Sequence, residues 1–126
     1  MEFTLKTKIP AFAKDIYTAW LSTQGHTDMT GGAATASDQV GSNFTAWDGY
    51  ISGQNLELEA NKKIVQTWGT SEFSENEEDS RVELLLEEEE GETKLTLIHS
   101  DLPAHGEQYI QGWEDHYFQP MKSYFK

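Results

Sequence analysis

Cysteine is absent from the 126 residues. Disulfide staples, thiolate nucleophiles and cysteine-based zinc sites are excluded together, and a reducing compartment is allowed. Positive charge is also scarce. Nine Lys and Arg stand against 22 Asp and Glu, a net charge of −13 with histidine neutral. Such a field repels phosphate backbones and anionic headgroups, which argues against nucleic acid as a partner. No run approaches the ~18 consecutive apolar residues of a spanning helix. Nor does Met1-Glu2-Phe3-Thr4-Leu5-Lys6 form a continuous apolar signal region. A cytoplasmic chain without membrane insertion is expected.

Chemistry-bearing motifs are missing too. The four histidines, His26, His99, His105 and His116, form no HxH, HExxH or His-x3-His pair that would set two imidazoles on one metal. No Gly-x-Ser-x-Gly elbow is present, and Gly31-Gly32 is not followed by the Gly-Lys-Ser/Thr of a phosphate loop. With 22 acidic residues, adjacent carboxylates are inevitable and carry no specificity. No catalytic residue, metal ligand or cofactor is assigned.

What the chain has is aromatic bulk: four Trp, five Tyr and six Phe, enough to build one core in a chain of single-domain size. Phe3, Leu5, Thr7 and Ile9 alternate with polar neighbours and predict a strand that ends at Pro10. Phe12, Ile16, Ala19 and Trp20 lie at helical spacing within Ala11 to Leu21, and a short helical turn is expected before Gly31-Gly32. Asp48-Gly49 between apolar runs predicts a hairpin, with Leu56 and Leu58 on one face of its second strand and Glu57 and Glu59 on the other. A turn at Ala60 to Lys63 leads into Ile64 to Trp68, and the acidic tract Thr70 to Ser80 reads as a solvated loop. Val82, Leu84 and Leu86 pair through a Glu90-Gly91 turn with Leu95, Leu97 and His99, which directs His99 inward. The run Glu87 to Glu90 reads as a solubilising flank.

Beyond Pro103, Tyr109/Ile110, Trp113, Tyr117, Met121 and Tyr124 form a stripe in steps of three or four, the mark of a long helix. Gly112 and Pro120 weaken it, so a kink is expected near Gln119. The architecture is thus α+β: about six antiparallel strands curved around one long C-terminal helix, with two short helices after the first strand, in one domain over residues 1–126.

Four segments carry a family resemblance. They are Gly41-Ser42-Asn43-Phe44, Asp48-Gly49-Tyr50-Ile51-Ser52-Gly53, Lys63-Ile64-Val65-Gln66-Thr67-Trp68, and Gln111-Gly112-Trp113-Glu114-Asp115-His116-Tyr117-Phe118. In this order they resemble the C-terminal domain of activators of the ATPase of heat-shock protein 90, within the START or helix-grip superfamily. The resemblance implies a cofactor-free fold whose long helix closes a cavity against the sheet. It also implies contact with the nucleotide-binding domains of an ATP-driven heat-shock chaperone. The activators carry a separate N-terminal domain that makes their main chaperone contact, and these 126 residues have no counterpart to it. Some superfamily relatives bind lipids or polyketides.

The candidate ligand-binding residues are Phe44, Trp47, Trp68, His99, Trp113 and Tyr117. Two readings fit them: an ordinary aromatic core, or a core with a cavity in which His99 and Tyr117 supply the polar groups. His99 is either a satisfied core histidine or, in a cyclase- or hydrolase-like relative, a proton shuttle. The expectation is a monomeric, non-enzymatic binding domain. Its partner is a chaperone or, alternatively, a small hydrophobic ligand.

Overall fold

The computed structural model describes residues 1–126. Strand β1 (Phe3–Ile9) is followed by helices α1 (Ala13–Trp20) and α2 (Thr23–Thr30), then by β2 (Asn43–Ala46), β3 (Ile51–Glu59), β4 (Lys63–Thr70), β5 (Ser80–Glu89) and β6 (Glu92–Ser100). Helical residues then continue from Ala104 to Tyr124, here called the C-terminal helix. The strands form one antiparallel sheet in the order β1-β6-β5-β4-β3-β2, curved around that helix. No helix is long and apolar enough to cross a membrane.

Alternation decides which face each strand buries. Ile9, Leu95, Leu97, Val82, Leu84 and Ile64 are fully buried on the inner face, joined by Ile16 and Met29 from the two short helices and by Met121. Helix α1 begins two residues later than its apolar spacing suggests. Phe12 is extended and caps nothing with its side chain. The first-turn N–H of Ala13 instead donates to the Glu88 carboxylate at 2.8 Å. One member of the supposedly solubilising acidic run therefore serves as a helix cap, a favourable place for negative charge.

The two expected hairpins fold differently. Glu89 faces Glu92, so Glu90 (φ 50°) and Gly91 (φ 83°) form the two-residue turn that the pair predicts. At Asp48-Gly49 the last paired residues are Ala46 and Ile51, and the connection is four residues long, with Trp47 (φ 50°), Asp48 (φ 61°) and Gly49 (φ 90°) all left-handed. The cause is tertiary: the Asp48 N–H donates to the Ala33 carbonyl at 2.9 Å, while its carboxylate accepts the Ala33 N–H at 3.3 Å. That clamp pulls Trp47 out of the strand into a conformation costing a non-glycine residue about 1–2 kcal/mol.

A bulge between Asn55 and Glu57 shifts the β3–β4 register. Leu58 faces Ile64, but Leu56 is 43% exposed rather than sharing the inner face with Leu58. Two residues before the bulge, Gly53 lies opposite Phe44, and a Cβ there would sit 1.9 Å from the Thr67 carbonyl oxygen and 2.7 Å from Phe44 Cε1. Only glycine fits.

The C-terminal helix buries Tyr109, Trp113, Tyr117, Phe118 and Met121. Where a kink is expected near Gln119, the helix makes a π turn over Glu114–Phe118, closed by the Gln119 N–H on the Glu114 carbonyl. Pro120, which brings no N–H, lies immediately after it. The wider turn rotates the following residues, so Phe125 packs on the core and Tyr124, expected in the stripe, is 49% exposed.

Candidate functional site

Two histidines hold the aromatic face of the C-terminal helix. Trp113 donates its indole N–H to His99 Nδ1 at 3.0 Å. An indole nitrogen can only donate, so the proton of His99 is on Nε2, 2.8 Å from Ser80 Oγ, and the Ser80 hydroxyl in turn donates a hydrogen bond to the Trp68 carbonyl at 2.7 Å. Every donor and acceptor in this chain is used by a neutral imidazole. Burial pushes the His99 pKa down to about 3, because a protonated ring would be desolvated and would point a second N–H at that of Trp113.

One helical turn on, the same arrangement recurs. His26 Nδ1 lies 2.9 Å from the Trp20 carbonyl, which can only accept, so Nε2 is the acceptor and takes the Tyr117 hydroxyl proton at 2.8 Å. Burial lowers the His26 pKa and raises that of Tyr117, keeping both neutral. Trp20 in turn donates to Gln66 at 3.3 Å, and Gln66 to Asn55 at 2.8 Å. These networks tie α1, α2, β3, β4, β5 and β6 to one face of the helix.

The opposite side of the cluster is open. A cavity of about 450 Å³ lies between the β2–β3 loop, β4 and the C-terminal helix. Its walls are Trp47, Tyr50 and Ile51 on the loop side, Trp68 on the sheet, and Gln108, Tyr109, Gly112, Trp113, His116 and Tyr117 on the helix. This is the size and apolar character of a small-molecule site. Gly112 contributes bare backbone: a Cβ there would meet no atom within 4 Å. Trp47 meets His116 edge-on with ring centroids 5.3 Å apart. Gly32 supports the indole from behind, where a Cβ would come within 2.5 Å of Trp47 Cε3. Trp47 Nε1 is buried and has no protein acceptor.

Acidic side chains stand behind this mouth. The Tyr50 hydroxyl donates to Glu72, and that of Tyr109 pairs with Thr70 Oγ1 at 2.7 Å. Burial raises the pKa of both phenols, with the charge of Glu72 adding to it. The 71–79 loop is less detached than its acidity suggests. Phe73 packs against Trp68 and Tyr109, and Glu77 holds His105 at 2.9 Å, which keeps the Glu77 carboxyl below its usual range.

Of the six sequence candidates, Trp47, Trp68, Trp113 and Tyr117 line the cavity together. His99 lies behind Trp113 with both ring nitrogens engaged, and it presents no free nitrogen through which to pass a proton to a bound molecule. Phe44 packs beside Gly53 in the core and is not part of the wall. Reading the sequence missed Tyr50, Tyr109, Gln108 and His116 at the mouth, and His26 behind Tyr117. Tyr109 was visible in the helical stripe; the exposed rim residues and the buried His26 of a largely polar helix carry no periodic signal.

The family described as activator of Hsp90 ATPase homolog 1-like protein matches residues 10–126. Human activator of 90 kDa heat shock protein ATPase homolog 1 is 27% identical over 125 residues, covering 98% of this chain and 37% of that protein. Altogether, the chain spans between 24% and 37% of the length of the curated relatives it matches. Its fold is that of an HSP90 activator from Plasmodium falciparum (TM-score 0.88, 22% identity, 98% of this chain and 94% of the other). The Aha1 dimer from Colwellia psychrerythraea has it too (TM-score 0.76, 18% identity, 90% and 88%). With 117 of its residues, from 10 to 126, inside the match, the chain belongs to the family of activator of Hsp90 ATPase homolog 1-like proteins.

Proposed function

We propose that this chain is a non-enzymatic binding domain that engages an ATP-driven chaperone of the 90 kDa heat-shock class. The observation that carries this reading is the alignment of 98% of the chain with a named activator of that ATPase. The acidic surface and the exposed side of the C-terminal helix, around Gln111, Asp115 and Gln119, are the faces offered to the partner. A cytosolic setting goes with this reading. So does a single-copy state, which light scattering would check.

The test is to add the purified domain to the chaperone of the same organism and to follow ATP turnover and co-sedimentation. Co-sedimentation with altered turnover is expected. No effect on either at large excess overturns the proposal.

A second reading is favoured by the cavity: a carrier or sensor of a small apolar molecule held against Trp47, Trp68, Trp113 and Tyr117. An apolar probe in the cavity is expected to change tryptophan fluorescence and to shift the Gly112 amide signal. A cavity that stays unresponsive to fatty acids, sterols and aromatic polyketides counts against it.

A further inference from the structure

Neither lysine nor arginine is among the residues that wall the cavity. No Lys or Arg occurs from Asp15 to Asn61, from Ile64 to Ser80, or from Leu95 to Met121, and every lining residue falls within these three stretches. Acidic groups do reach the site. Glu72 accepts a hydrogen bond from the Tyr50 hydroxyl, and the charges of Glu72 and Glu77 both act on Tyr109. A phenol that donates to a carboxylate becomes more electron-rich, which deepens the negative potential over its ring face. The rings of Trp47, Tyr50, Trp68 and Tyr109 thus give the cavity an electron-rich aromatic lining, with Glu72 hydrogen-bonded to one of them and no Lys or Arg among the lining residues.

We propose that the cavity takes an organic cation, an alkylated ammonium group carried on a compact apolar body. The proposal rests on the cavity reading above and adds the sign of the ligand's charge. Aromatic rings attract such cations through their quadrupoles, most strongly where water is displaced and where Trp is present. An alkylated ammonium also loses less hydration on entry than a primary amine, since it has fewer N–H groups to strip of water. A neutral molecule of the same shape gains only from burial, and a carboxylate is opposed by the surrounding acids.

Benzyltrimethylammonium and neopentylbenzene form a suitable pair, because they differ only in a quaternary nitrogen in place of a quaternary carbon. Phenylacetate supplies the anionic arm. Each is titrated into the intact chain and followed by the Trp47 indole N–H and Gly112 amide NMR signals. The cation is expected to bind about tenfold more tightly than its carbon isostere, and phenylacetate more weakly than either. Glu72→Gln keeps an acceptor for Tyr50 while removing the charge. It is expected to weaken the cation about threefold and to leave neopentylbenzene unchanged. Glu87→Gln, remote on β5, should change neither, which separates local field from net charge. Gly112→Leu should block both ligands.

Neopentylbenzene or phenylacetate binding as tightly as the cation overturns the inference and leaves the cavity reading standing. If no probe moves the two signals, the cavity reading falls with it.

Discussion

Trp113 and Trp47 belong to opposite walls of one cavity, and they are finished in opposite ways. Trp113 is 3% exposed and gives its indole proton to His99 at 3.0 Å, within a chain of hydrogen bonds that ends on the β4 backbone. Trp47 is half-buried on a left-handed loop residue, gives its indole proton to no protein group, and rests on Gly32 and the exposed His116. The first wall has the marks of a scaffold, in which burial and satisfied polar groups enforce one geometry. The second holds backbone strain on a non-glycine residue and a buried donor without a protein acceptor, both of which cost the fold stability.

Variants that assault the pinned wall should cost most. Trp113→Ala is expected to lose about 3–5 kcal/mol of unfolding free energy in urea titration, because it both opens a void and strands His99. Trp47→Ala should lose markedly less; equal losses would erase the contrast.

Acid should attack the same wall. The unfolded chain protonates His99 near its ordinary value of 6.5, whereas the folded chain resists down to about 3. The unfolded state therefore binds more protons across that window. Stability should be unaffected by His99 above pH 6.5 and fall as pH drops toward 3, by about 2 kcal/mol at pH 5 from this group alone. His26, lowered in the same direction, adds to the loss. A stability profile flat from pH 7.5 to 5 would show that these imidazoles are not held neutral.

Next in size is Tyr117→Phe, which removes the proton donated to His26 and should cost about 1–2 kcal/mol, read from the same titrations. Gly112→Ala should move the other way. Its methyl group enters open space on a helix, so about 1 kcal/mol of added stability is expected in thermal and urea unfolding. A loss there would mean that the cavity is filled from another direction. Smallest of all, Tyr50→Phe at the exposed mouth should change stability by less than about 0.5 kcal/mol, with its effect confined to ligand titrations.

The pinned wall is largely legible in the sequence. Period-two alternation turned His99 inward, and steps of four placed Trp113 and Tyr117 on one helix face, since both follow from local geometry and burial. The partner His26 was not, because α2 is mostly polar and its histidine is buried only by what packs on it. The open wall was harder to read for a related reason. Trp47 looked like the end of a strand, but the clamp between Asp48 and Ala33 makes it a loop residue. Tyr50 and His116 face the mouth, where no hydrophobic pattern operates. Leu56 was misplaced by a bulge, which shifts the alternation by a single residue that composition does not mark.

The proposed division into a scaffold wall and a binding wall is tested most directly by following all four indole N–H signals while benzyltrimethylammonium is added. The expected result is a large movement of the Trp47 signal and the smallest movement at Trp20, whose N–H is held by Gln66 away from the cavity. Four signals that shift together, or a Trp47 signal that stays fixed while Trp20 moves, would contradict it.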